Sequence, residues 1–155
     1  MTPAMHKFWL KITAVIIGAF GPVFFFGTMK PTQEPARFTL DVLSWPLDGA
    51  TTYAHPDTRF LSALVGGFLL GWGVTIWLLS SKVYDLAPEA VRRCVVIGVC
   101  SWFCLDSAGS IASGNASNAL FNVAVLLLAV GPMWVPAADG EEARARREKL
   151  GATSP

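Results

Sequence analysis

Four long apolar runs, each with no charge or almost none, divide the chain. A helix that crosses the hydrocarbon core of a bilayer needs about 20 mostly apolar residues. The runs that approach or exceed this length extend over about 12–29, 60–81, 91–113 and 119–135. The pattern therefore predicts an all-α fold, a bundle of four transmembrane helices that forms a single membrane domain over residues 1–136.

Composition agrees with this prediction. Of the 155 residues 53% are apolar and only 15% are charged, and the mean hydropathy is +0.48. A soluble domain carries about 25% charged residues, so the chain lacks the charge to cover a surface that faces water. The net charge of +1 gives no basic face for nucleic acid. We therefore expect the lipid bilayer as its main partner, with a membrane protein or a second copy as a further partner.

The first run has two interpretations. Lys7 and Lys11 precede it, as basic residues precede the apolar part of a signal peptide. No small-residue cleavage site follows Phe26, and the run is longer than that of most signal peptides. A retained membrane helix is the interpretation we favour, with a cleaved signal as the alternative.

The positions of Lys and Arg predict the orientation, because cytoplasmic loops carry an excess of them. Nine lie on the side of the two termini and three on the other side, namely Lys30, Arg37 and Arg59. Both termini, including a charged tail over 137–155, are therefore expected in the cytoplasm, and the protein in a bacterial inner membrane. The outer side then holds a loop over 30–59 and a tight hairpin at 114–118. The loop is either an element lying on the headgroups or a cap on the bundle, and a substrate-gating lid is a further alternative.

Small residues on the second helix predict how the helices pack. In lipid, helix association depends on close backbone approach and on polar contacts. One face of this helix carries a small residue at every fourth position: Ala63, Gly67, Gly71 and Thr75. We expect this face to pack against the first or third helix, or alternatively to form a dimer contact. In the first helix, Pro22 removes a backbone hydrogen bond and predicts a kink.

Asp106 is the one acid inside a predicted span, and such acids normally face the bundle interior or water. Helical spacing places hydroxyl groups beside it and amides across the hairpin, and basic or imidazole groups near the start of the second helix could pair with it. In one interpretation the amides donate to Asp106 and clamp the hairpin. In the other, the cluster binds a cation or polar ligand, or relays protons. The candidate residues are Asp106, Ser110, Ser113, Asn115, Asn118 and Asn122, with Arg59 or His55 as the partner.

Other reactive residues form no recognised pattern. Cys94, Cys100 and Cys104 lack the spacing of a redox pair or a metal site, so we expect them to fill a helix interface. His6 and His55 fall on opposite sides of the membrane in this topology. The sequence predicts no metal, no cofactor and no catalytic residue, and therefore no enzyme activity.

Residues 55–135 resemble small bacterial four-helix membrane proteins of the DoxX-like kind. The resemblance lies in Arg59 ahead of a glycine-rich second helix (Gly66, Gly67, Gly71, Gly73), and in the stretch from Asp106 to Ser110 before a polar hairpin. It implies an accessory role in a membrane-associated redox or stress complex. The function we predict is a non-enzymatic accessory or interaction subunit of a membrane complex. The alternative is a small transporter or ligand-binding membrane protein that uses Asp106, and a membrane enzyme is a distant third.

Overall fold

The computed structural model describes residues 1–137 and Ala145, and these residues form helices without any strand. Five α-helices follow one another along this part of the chain, numbered α1 to α5. Their bounds are Pro3–Phe26 for α1, Glu34–Ser44 for α2, Pro56–Leu78 for α3, Pro88–Ala112 for α4 and Ala116–Val130 for α5. The all-α prediction is therefore confirmed for the described residues.

All of these helices except α2 are long and apolar enough to cross a membrane. With the short helical turns that extend α3 and α5, the candidate spans are Pro3–Phe26, Pro56–Val83, Pro88–Ala112 and Ala116–Trp134. Each begins before the predicted apolar run, and α1 also ends before residue 29. The apolar runs mark where charge is absent, whereas a helix begins where its backbone can be capped. Proline in the first turn of α1, α3 and α4 provides such starts.

The segment predicted as an outer loop contains the helix α2, which lies over one end of the bundle. Ala36 of α2 is fully buried and packs with Phe24 of α1 and Tyr53. The hydroxyl of Ser117, in the first turn of α5, donates to the Leu43 carbonyl oxygen at 2.7 Å. Burial raises the pKa of the Tyr53 phenol. Of the interpretations offered for this segment, the contacts favour a cap, and we call this end of the bundle the α2 end.

Glycines bring the backbones of α1 and α3 into contact. A Cβ atom added at Gly66 would lie 2.7 Å from the Gly21 carbonyl oxygen, and one added at Gly73 would lie 2.7 Å from the Gly18 Cα. Any side chain at these positions would push the helices apart. The face of α3 that is buried in the bundle runs through Ser62, Gly66, Gly73 and Ile76.

The face predicted for packing inside the bundle is a different one. A Cβ atom added at Gly67 or Gly71 would meet nothing within 4 Å, Thr75 is exposed, and only Ala63 is half-buried. The prediction that this face packs against the first or third helix is therefore wrong. The residues that meet α1 are displaced by one position, which turns a helix by about 100°. The alternative, a dimer contact through this face, stays a prediction.

The pair formed by α1 and α3 joins the pair formed by α4 and α5 at the end of the bundle that holds Pro3 and Ala137, the terminal end. On α1, the indole of Trp9 donates to the Leu128 carbonyl oxygen at 2.8 Å, and the hydroxyl of Thr13 donates to that of Ala129 at 3.0 Å. The shared core consists of Leu10, Ala14, Ile76, Tyr84, Val91, Val95, Val99, Ala129, Val130 and Met133. The predicted tail over 137–155 lies outside the described residues, apart from Ala137 and Ala145.

Candidate functional site

Asp106 lies on the last third of α4 and faces two amide side chains of α5. The Nδ2 atom of Asn122 donates to the Asp106 Oδ2 atom at 2.6 Å, and that of Asn118 donates to the same oxygen at 3.1 Å. Residues four apart share one face of a helix, so α5 presents both amides together. The predicted contact between the acid and the asparagines of the hairpin is present for these two residues.

Two hydroxyl groups complete the cluster, and only one of them was predicted. Asn118 Nδ2 also donates to Ser110 Oγ at 2.7 Å, as the spacing of Ser110 from Asp106 suggests. Asn122 Nδ2 donates to Ser107 Oγ at 3.1 Å. Sequence reasoning missed Ser107, because neighbouring helical residues point in different directions and its contact depends on where α5 lies. Asp106, Ser107, Ser110, Asn118 and Asn122 are called the Asp106 cluster below.

Ser113 and Asn115 belong to the turn of the hairpin and make no hydrogen bond to Asp106. The Ser113 hydroxyl donates to the Ser110 carbonyl oxygen at 3.1 Å, and Asn115 Nδ2 donates to Ser113 Oγ at 3.2 Å. Gly114 between them has φ +84°, a conformation that favours glycine. The prediction that Asn115 lies with the other two asparagines against Asp106 is therefore wrong. Asn115 immediately precedes α5, and its backbone does not have a helical conformation.

Neither proposed partner of Asp106 reaches it. The side chain of Arg59, in the first turn of α3, forms no ion pair or hydrogen bond within the described residues. His55 lies 3.3 Å from the carboxylate of Asp57, two residues along the chain. The expectation that Arg59 or His55 pairs with Asp106 is not met, because α3 packs along α1 and not along the hairpin. Among the described residues the Asp106 carboxylate has no cationic partner.

A groove of about 490 Å³ opens on the α4 side of the Asp106 cluster. Six residues on one face of α4 line it: Trp102, Leu105, Asp106, Gly109, Ser110 and Ser113. Only the Oδ2 atom of Asp106 is engaged by the amides. The Oδ1 atom has no hydrogen-bond partner within the described residues, yet it is not sealed from the surface as the buried unpartnered atoms are. The arrangement therefore leaves one carboxylate oxygen open on the groove.

A second polar cluster lies at the terminal end, and no pattern along the chain predicts it. The imidazole Nδ1 atom of the fully buried His6 lies 3.0 Å from the Tyr84 hydroxyl. Tyr84 follows a π-helical turn at Leu79–Val83, where its backbone N–H reaches the Leu79 carbonyl. Arg92 is held by Glu89 and donates to the Met133 carbonyl oxygen at 2.7 Å. These contacts join α1 to the segment after α3, and α4 to the segment after α5.

Of the cysteines, Cys94 and Cys104 are exposed and only Cys100 is half-buried. The expectation that all three fill a helix interface is wrong for the exposed pair, whose side of α4 no other described helix covers. His6 and His55 lie at opposite ends of the bundle. Within residues 1–137 no group of three or more His, Cys, Asp or Glu side chains is placed to hold a metal ion.

No protein-family model, curated protein sequence or solved structure matches this chain.

Proposed function

We propose that this chain is a small multi-pass membrane protein that acts as a non-enzymatic interaction subunit of a membrane complex. One observation carries the proposal. The face of α3 formed by Ala63, Gly67, Gly71 and Thr75 is made of small residues, and a Cβ atom added at either glycine would meet nothing within 4 Å. Such faces let two membrane helices approach closely. The described residues, 1–137 and Ala145, leave the face uncovered.

We propose a transmembrane helix of a different protein as the occupant of this face. Large apolar side chains flank it, and Phe68 is 77% exposed while Leu64 is 42% exposed. A helix seated between them would contact the glycine backbone and cover these side chains. That gain in van der Waals contact is what stabilises helix pairs in lipid, where apolar burial alone does not.

The test is the composition of the complex released from the native membrane in a mild detergent and measured by native mass spectrometry. We expect a stoichiometric partner with the wild-type chain and a loss of about tenfold or more with Gly67→Leu or Gly71→Leu. Gly98→Leu is the matched control, because Gly98 on α4 also has open space around it. A wild-type monomer, or equal loss with all variants, would contradict the proposal. A homo-oligomer would identify a second copy as the occupant instead.

The orientation we propose places both termini in the cytoplasm of a bacterial cell, with the α2 end outside the inner membrane. Contacts between α1 and the residues around Tyr84 and Ala129 support a common side for both termini. Nine of the 12 Lys and Arg residues fall on that side. Fluorescent-protein and alkaline-phosphatase fusions at Met1 and at Gly49 test it, because each reporter is active on one side only. Membership of the DoxX-like families stays a prediction.

A second candidate function is ligand binding or transport through the Asp106 cluster. The specific observation in its favour is the open Oδ1 atom of a carboxylate that has no cationic partner among the described residues. A cluster that served only to clamp the hairpin would not need a groove beside it. Acids placed in membrane helices are costly, about 2.5–3.5 kcal/mol at the helix centre on insertion scales, and are functional by default.

A further inference from the structure

We propose that the groove beside Asp106 binds an amphipathic organic cation, that is, an ammonium or phosphonium group on an apolar body. The proposal rests on the second candidate function above and specifies its ligand. It is independent of the association through α3, because the two faces lie on different helices.

The charge of the ligand follows from the contacts of Asp106. Its Oδ2 atom accepts two amide hydrogen bonds from α5, at 2.6 and 3.1 Å, so the carboxylate is held in one orientation. None of the ion pairs within the described residues includes this carboxylate. A buried or half-buried carboxylate without a partner is costly, and a bound cation supplies the missing charge. The orientation of Asp106 leaves Oδ1 to contact it.

The body of the ligand follows from the lining of the groove. Trp102, Leu105 and Gly109 present aromatic, aliphatic and backbone surface, and the polar atoms belong to Asp106 and two serines. An indole face attracts a cation through its negative π-electron density. A volume of about 490 Å³ lies within the range of pockets that hold drug-sized organic molecules.

A bare metal ion fits this groove poorly. Calcium takes six to eight oxygen ligands and magnesium needs near-ideal octahedral geometry. The Asp106 cluster offers one open carboxylate oxygen, because its amides present N–H groups to the acid. Within residues 1–137 no group of three acidic, histidine or cysteine side chains could add ligands. The large apolar share of the lining would also be left without a contact.

Binding of tetraphenylphosphonium to the purified full-length protein in an uncharged detergent tests the proposal. Isothermal titration calorimetry measures its affinity and stoichiometry, and tetraphenylborate, which has the same shape and the opposite charge, is the control ligand. We expect saturable binding of the cation with about one site per chain, and no saturable binding of the borate when it is titrated alone. The variant Asp106→Asn removes the charge and keeps an oxygen for the α5 amides. It should weaken binding by about tenfold or more, which is about 1.4 kcal/mol.

Two further variants keep the result interpretable. Arg59→Gln changes a charge outside the cluster and should leave the affinity unchanged. Trp102→Leu removes the aromatic face without touching the carboxylate, and should weaken cation binding even if Asp106→Asn proves too unstable to purify. The proposal is overturned if tetraphenylphosphonium does not bind saturably, if the borate binds equally well, or if Asp106→Asn and Trp102→Leu both bind like wild type. Association through α3, measured with Gly67→Leu, would stand in each of those cases.

Discussion

A carboxylate has two oxygens, and the structure gives those of Asp106 different surroundings. Oδ2 accepts from Asn118 and Asn122, whereas Oδ1 has no hydrogen-bond partner among the described residues. Asn122 is only 3% exposed, so its amide depends on protein partners for its hydrogen bonds. At the scale of single residues, the same side chain can therefore hold the hairpin together and face a ligand. The two interpretations of Asp106 that the sequence left open do not exclude each other.

A double-mutant cycle between Asp106→Ala and Asn122→Ala measures the first of these roles. We expect the effects on the free energy of unfolding to be non-additive by about 0.6 kcal/mol and at most about 1.7 kcal/mol, the mean and the maximum for hydrogen bonds between membrane helices. Reversible unfolding in mixed detergent micelles gives the energies. The cycle between Asp106→Ala and Arg59→Gln is the control and should be additive, because the two side chains do not meet. Additivity in the asparagine cycle would contradict the clamp.

The helix α3 carries two neighbouring glycines that serve different faces. Gly66 lies against the backbone of α1, while Gly67 has open space around it. Consecutive residues on a helix point about 100° apart, so one helix can pack inside its own bundle through one face and offer another outward. The sequence pattern predicts packing through glycines four apart, Gly67 and Gly71. The pair that packs is seven apart, Gly66 and Gly73.

Alanine substitution separates the two faces of α3. Gly66→Ala should destabilise the purified chain by about 1–3 kcal/mol or more, because its Cβ would lie 2.7 Å from the Gly21 carbonyl oxygen and the helices must move apart. Gly67→Ala should be neutral, or stabilising by up to about 1 kcal/mol, since alanine favours the helix. Thermal unfolding of both variants in the same detergent gives the comparison. Equal destabilisation would place Gly67 in a contact that this structure lacks.

At the scale of the whole molecule, polar contacts at the terminal end join helices to one another. Arg92 links α4 to the segment after α5. Its guanidinium is held by Glu89 of the same helix and donates to the Met133 carbonyl oxygen. The side chain of Arg92 is 14% exposed, whereas that of the adjacent Arg93 is 65% exposed. Hydrogen bonds of a mostly buried guanidinium leave unpaired groups behind when they are lost. This end therefore combines a shared apolar core with interhelical polar contacts.

Arg92→Leu and Arg93→Leu test that arrangement, since both remove one positive charge next to Glu89. We expect Arg92→Leu to lower the free energy of unfolding by about 1–3 kcal/mol, because the Met133 carbonyl loses the Arg92 donor and Glu89 keeps only Arg93. Arg93→Leu should cost less than about 1 kcal/mol, as exposed ion pairs do. Unfolding in mixed micelles measures both. Equal effects of the two variants would mean that total charge, and not the contact with Met133, matters here.

Local composition and length determined much of this protein from the sequence alone. The four apolar helices, the turn between α4 and α5, and the approach of Asn118 and Asn122 to Asp106 follow from runs of residues and from spacings along the chain. Such features depend on neighbours that the chain itself brings together. The exact helix starts did not follow, because caps and prolines extend helices past the apolar runs.

Only the tertiary structure decided which face of each helix is covered. The rotation of α3 against α1 selected Gly66 over Gly67, and the position of α5 brought in Ser107 and left Asn115 in the turn. The packing of the helices also separated Arg59 from Asp106 and buried His6 beside Tyr84. Each of these outcomes depends on the packing of residues far apart in the sequence. Rotating a helix by one residue position would have exchanged its covered residues for uncovered ones. No local pattern of residues encodes that rotation.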